Sequence, residues 1–163
     1  IESHRVCFVI DTSGSMEEKT RGKYAGMTGP TRMEAAKTEL EKALDGLDPN
    51  ALFNIVTFSD KPRPWQKALQ RATPEVIQQA KEHVAKLVPS GGTNLFGGIQ
   101  TALLDPDVDT VIFLGDGEPS VGEIIEAAAI RRWVQGQNRD RGVKIHTVRV
   151  GLDLPILQWL SLD

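Results

Sequence analysis

Cysteine and histidine are scarce in this chain, and each scarcity removes a class of protein. Cys7 is the single cysteine, so no internal disulfide can form and the chain is not a bridge-stapled scaffold. The three histidines, His4, His83 and His146, fall at a strand start, in a helical stretch and in a late strand. They form no imidazole or thiolate cluster of the kind zinc requires, and read as surface or satisfied core residues. No apolar run reaches the ~18 residues of a membrane span. Charge of one sign is lacking too: 19 Lys and Arg against 22 Asp and Glu leave a net charge of -3. The positive field on which nucleic-acid or anionic-membrane binding relies is therefore missing. Absence of disulfides does not fix the compartment, and extracellular, periplasmic and cytoplasmic locations all stay open. The chain opens at Ile1 with neither Met nor a signal-like segment, which suggests a piece of a longer protein.

What is present describes one globular domain spanning residues 1–163. A length of 163 residues has room for one core. Hydrophobic residues at 40%, with 15 glycines and 25% charged residues, lie near globular averages and exclude wholesale disorder. Runs rich in β-branched and aromatic residues at Val6 to Ile10, Leu52 to Phe58, Thr110 to Leu114 and Val143 to Val150 predict strands. The first and third are nearly continuous in apolar residues, as parallel strands buried on both faces should be.

Helical patterns lie between them. Met33, Ala36, Leu40, Ala43, Leu44 and Leu47 share one face behind a Thr31/Glu34 capping box. Thr73 and Pro74 open a second helix with Ile77, Ala80, Val84 and Leu87 inward, stopped by Pro89. A third follows Thr93, a fourth runs from about Gly122 to Val134, and Asp153 caps a last one. The two prolines of Lys61-Pro62-Arg63-Pro64-Trp65 restrict that stretch to a short antiparallel edge strand. The alternation predicts an α/β fold: an open, mostly parallel, Rossmann-like sheet with helices on both faces.

In such a sheet ligands bind beyond the carboxyl ends of the strands. The candidate loops are Asp11-Thr12-Ser13-Gly14-Ser15 after the first strand, Gly115-Asp116-Gly117-Glu118 after the third, and Ser90-Gly91-Gly92-Thr93-Asn94 between two helices. They supply carboxylates and hydroxyls, hard oxygen donors that suit Mg²⁺, with Mn²⁺ and Ca²⁺ as the other candidates. The alternating Asp11, Ser13 and Ser15 let one turning loop aim its side chains at a common centre. Neutral hydroxyl ligands would leave such an ion electrophilic, able to accept an outside carboxylate. Asp-Thr-Ser-Gly-Ser is also an ordinary turn and N-cap sequence.

VCFVIDTSGSM at 6–16, SGGTNLFGGI at 90–99, VIFLGDGEPS at 111–120 and NIVTFSD at 54–60 together resemble the von Willebrand factor A (vWA) domains, with their metal-ion-dependent adhesion site. The resemblance covers nearly the whole chain. It implies that Ser13, Ser15 and Thr93 bind metal directly, while Asp11 and Asp116 act mainly through ordered water. It also implies metal-dependent adhesion and protein–protein recognition rather than catalysis, the partner offering Asp or Glu to the metal, with neither nucleic acid nor membrane insertion involved. Two departures stand out. Glu17 to Pro30 form a long insertion before the first helix, expected to overhang the metal and, through Tyr24 and Met27 together with Asn94 and Glu118, to set partner specificity; a plain surface insertion is the rival reading. Set against the resemblance, the family's final strand and helix are expected to be missing after Trp159 to Asp163.

Two alternatives of other classes remain at this stage. A Mg²⁺-dependent phosphoryl-transfer enzyme would use Asp11 as nucleophile, but phosphatases of the haloacid-dehalogenase type place an acid two residues later, where this chain has Ser13. A scaffold with a non-functional metal site would instead interact through an exposed sheet edge or through Arg131, Arg132, Arg139 and Arg141.

Overall fold

The computed structural model describes residues 5–17, 31–115, 127–139 and 142–149. In chain order the elements are β1 (Arg5–Asp11), α1 (Arg32–Asp45), β2 (Leu52–Phe58), β3 (Pro62–Pro64), β4 (Gln70–Arg71), α2 (Pro74–Ala85), α3 (Leu95–Leu104), β5 (Thr110–Gly115), α4 (Ala127–Asn138) and β6 (Lys144–Arg149), with a 3₁₀ turn at Gly14–Glu17. The sheet order is β3-β2-β1-β5-β6, with β4 also on β2. The β1, β2, β5 and β6 ladders are parallel, whereas β3 and β4 run antiparallel to β2.

Central β1 shows why the apolar run is continuous. Val6, Phe8 and Ile10 face one layer, with Leu40 and Leu44 of α1 and Ala80 and Val84 of α2. Cys7 and Val9 face the other, with Leu95 and Ile99 of α3 and Ile130 and Val134 of α4. A strand covered on both faces has no polar side, and each large apolar residue so buried contributes roughly 1.5–3 kcal/mol. Thr31 and Thr73 cap α1 and α2 as their spacing predicts, accepting from the Glu34 and Val76 N–H groups.

Two elements differ from expectation by more than two residues. The antiparallel edge is split into β3 and β4, because at Gln66 the Asn54 side chain takes the place of a strand: its Oδ1 accepts the Gln66 N–H at 3.1 Å and its Nδ2 donates to the Gln66 carbonyl at 2.8 Å. Helix α4 ends at Asn138 rather than Val134. The apolar periodicity stops at Val134, but the backbone continues to Asn138, whose side chain exchanges two hydrogen bonds with the Val143 backbone and turns the chain into β6. The helix expected behind Asp153 and the departure at Trp159 to Asp163 lie outside the described residues, as does the start of the fourth helix.

On α2, His83 stacks on Trp65, which stacks on Phe53. Burial, helped by Lys86, lowers the His83 pKa below the ordinary value of about 6.5. Between the lowered folded value and about 6.5 the unfolded chain binds more proton, so this stabilisation is complete above that window and lost as pH falls through it. Thermal melts by circular dichroism should show Tm level above pH 7 and declining below about pH 6.5, with a shallower decline in His83→Gln. Equal slopes in both proteins would contradict this assignment.

Candidate functional site

Asp11 closes β1 and is fully buried. A carboxylate held there needs partners to offset its lost hydration, and Oδ1 accepts the Ser13 N–H at 2.7 Å. This local bond bends the chain sharply as it leaves the sheet. The Met16 N–H then donates to the Ser13 carbonyl at 3.0 Å, and the sealed Met16 side chain anchors the 3₁₀ turn in the core. Between these anchors Ser13 Oγ and Ser15 Oγ converge to 3.1 Å. Thr12 faces β2 instead, donating both its N–H and its hydroxyl to the Phe58 carbonyl.

The Ser90–Asn94 loop is bonded to this turn and to the end of β2. The Gly14 N–H donates to the Gly91 carbonyl and the Ser90 N–H to the Thr12 carbonyl, each at 2.9 Å. Asp60, just beyond β2, clamps the other side: its Oδ1 accepts the Gly92 N–H at 2.9 Å and its carbonyl accepts Asn94 Nδ2 at 3.1 Å. Asn94 Oδ1 accepts the Gly97 N–H at 2.8 Å and caps α3. Thr93 sits buried between these fastenings. Gly91 has φ +77°, and a Cβ there would lie 2.6 Å from Asp60 Oδ2.

β5 forms the third side. Ile10 pairs with Leu114, which sets Gly115 against Asp11 so closely that a Cβ at Gly115 would stand 2.6 Å from the Asp11 Cβ. Glycine is what lets the two strand ends meet, and Asp116 follows it in sequence. Asp116, Tyr24, Met27 and Glu118 lie outside the described residues. The loops of Asp11, Ser13, Ser15 and Thr93 are thus tied together at one sheet edge. The Asn94 side chain, placed at the partner-facing rim by sequence, is engaged at both its oxygen and its nitrogen.

Sequence analysis included Asp60 and Gly115 within its motifs but gave neither a role of its own. The available signal for Asp60 was a carboxylate just past the end of a central strand, the position that drew attention to Asp11 and Asp116. Gly115 carried no distinguishing mark beyond being a glycine in a turn. Among the described residues no three His, Cys, Asp or Glu side chains converge on a point; the clustered donors are hydroxyls with Asp11 behind them. Cys7 lies within β1 and packs in the core rather than in these loops. Burial, with Asp105 adding to it, pushes its thiol up to about 12, so it stays protonated at neutral pH.

A doubly covered, mostly parallel sheet, with polar loops gathered at the carboxyl ends of β1 and β2, defines the Rossmann-like class of α/β domains. The chain belongs to the von Willebrand factor type A domains, whose family model matches residues 6–118. It is 33% identical over 172 residues to the inter-alpha-trypsin inhibitor heavy chain H2 of Sus scrofa, covering 97% of this chain and 17% of that protein. Against inter-alpha-trypsin inhibitor heavy chain 4 of Mus musculus it is 30% identical over 178 residues, 99% of this chain and 17% of the relative. The chain therefore spans only a small part of the curated relatives it matches. Among solved structures, a von Willebrand factor type A protein from Catenulispora acidiphila superimposes with a TM-score of 0.66 at 20% identity, over 98% of this chain and 41% of the other. The SpRpn10 VWA domain does so with 0.65 at 17% identity, over 98% and 80%. These two likenesses concern the fold. Domains of this family typically mediate protein–protein interactions, and the two relatives named here are inter-alpha-trypsin inhibitor heavy chains.

Proposed function

We propose that this domain is a protein-interaction module whose sheet-edge loops hold a divalent cation, Mg²⁺ foremost with Mn²⁺ and Ca²⁺ as alternatives, which accepts an Asp or Glu carboxylate from a partner. The carrying observation is the 3.1 Å separation of the Ser13 and Ser15 hydroxyl oxygens. Two oxygens bound at right angles to Mg²⁺, each 2.0–2.1 Å from it, stand about 2.9 Å apart, so this pair needs little adjustment to occupy neighbouring octahedral positions. Ser13, Ser15 and Thr93 would be direct ligands, with Asp11 and Asp116 acting through water. The ion supplies an electrophilic centre for an incoming carboxylate. Three neutral ligands preserve that character where a cage of carboxylates would quench it.

The protein's own contribution is to hold the hydroxyls in place before the partner arrives. Buried Asp11 sets the turn, and Asp60 and Gly91 set the loop of Thr93. Partner choice would fall to Tyr24, Met27 and Glu118, the loop residues that the sequence singles out, with Asn94 contributing through its position in the Thr93 loop.

Cation binding should be visible as stabilisation. At 100 times Kd a ligand that binds only the folded state adds about 2.7 kcal/mol, which for a chain of this size raises Tm by roughly 5–10 °C. Scanning calorimetry of metal-stripped protein with and without excess Mg²⁺ should show that rise, reversed by EDTA and absent in a Ser13→Ala/Ser15→Ala variant. An unchanged wild-type Tm would count against the reading.

A further inference from the structure

Beside the hydroxyl cluster, on the α2 side of the sheet, lies a second concavity of about 240 Å³, bordered by the end of β2, by β3 and by the segment that follows α2. Three cations surround it: Lys61 and Arg63 from the β2–β3 corner and Lys86 from the end of α2. All three are exposed, and none has a carboxylate within ion-pair distance among the described residues. The carboxylate of neighbouring Asp60 accepts the Gly92 N–H instead. A net charge of -3 for the whole chain makes this cationic cluster a local exception.

The remaining walls add donors. Ser59 and Ser90 line the cavity, and their hydroxyls have no hydrogen-bond partner among the described residues. The Thr57 and Thr12 hydroxyls on its inner side are already given to the Arg63 and Phe58 carbonyls. Val88, 72% exposed, forms an apolar lip.

We propose that this pocket binds a doubly charged tetrahedral oxyanion, the phosphate of a phosphorylated side chain on a protein partner. More than one positive charge converges there, which exceeds what a single carboxylate neutralises. A phosphomonoester carries about 1.5 to 2 negative charges with three acceptor oxygens, and a guanidinium among the donors suits two of those oxygens at once. A long polyanion needs an extended basic track, whereas these cations surround one small cavity. Thr12 and Ser90 belong to the same two loops that carry Ser13 and Thr93, so a partner's phosphate would dock next to the cation site. The pocket itself contains none of the proposed metal ligands, and phosphate should bind whether or not the metal reading holds.

The test is an amide-correlation NMR titration of ¹⁵N-labelled, metal-stripped protein in EDTA. The probes are inorganic phosphate, a Gly/Ser peptide with one phosphoserine, its unphosphorylated counterpart, and a short heparin oligosaccharide. Phosphate and phosphopeptide should give saturable shifts at Ser59, Lys61, Arg63 and Ser90. The unphosphorylated peptide, and a Lys61→Gln/Arg63→Gln/Lys86→Gln variant tested with phosphopeptide, should each bind at least tenfold more weakly. The variant's own spectrum reports its folding, and Arg63→Gln alone serves if the triple change disturbs it. Equal affinity for both peptides, undiminished binding in the variants, or saturation by heparin without a response to phosphopeptide would overturn the proposal.

Discussion

Phe58→Ala should lower the unfolding free energy by about 3–5 kcal/mol, the range for emptying a buried aromatic site. Phe58 is the last residue of β2, is sealed from solvent, and packs its ring 5.7 Å from that of Phe113. It also meets α3 where the helix has no side chain: a Cβ at Gly98 would come within 2.7 Å of the Phe58 ring and 3.2 Å of a Val9 methyl. A helix pressed against a sheet at a glycine cannot slide inward to refill the gap, so most of the cavity should persist. Total stability for a domain is about 5–15 kcal/mol, and the variant should be marginal. Urea unfolding followed by fluorescence and circular dichroism measures this directly. A loss below about 1.5 kcal/mol would mean that the neighbours collapse into the space.

Gly91→Ala should do the reverse, leaving the core intact and damaging the site. The backbone there has φ +77°, and the new Cβ would meet Asp60 Oδ2 at 2.6 Å. The left-handed conformation costs an L-residue roughly 1–2 kcal/mol. Relieving the clash must also displace Asp60 from the Gly92 N–H, releasing the fastening that holds the loop of Thr93. We expect Tm to fall by roughly 2–8 °C. Affinity for Mn²⁺ should fall at least tenfold, equivalent to about 1.4 kcal/mol of lost site geometry. Electron paramagnetic resonance of free Mn²⁺ gives the affinity, and calorimetry gives the Tm. Full affinity alongside the lowered Tm would show that Asp60 and Gly91 serve the fold alone.

Apolar continuity in Val6 to Ile10 and Thr110 to Leu114 reports burial on both faces, a property of the strand itself, so the parallel centre was legible. Thr31 and Thr73 act on amides three residues away and were equally legible as caps. Asn54 was not, because its partner Gln66 is distant in sequence and lies on a separate piece of chain. Asp60 and Gly115 are the site's equivalents. Their importance lies in contacts with Gly92 and Asp11 that exist only after β1, β2 and β5 are aligned. Asp11, Ser13 and Ser15 were visible as candidates because one short loop carries all three. That Asn94 is spent on capping α3 and on Asp60 follows from the arrangement of the loop rather than from its composition.

The most direct test of the central claim is isothermal calorimetry of Mg²⁺, then Mn²⁺, into metal-stripped protein, run beside Asp11→Ala. Asp11 organises the serine turn through the Ser13 N–H at 2.7 Å, so its loss should remove the site at its root. The account predicts one saturable site in the wild type and none in the variant. Absence of binding to the wild type, or equal binding to both proteins, would contradict it.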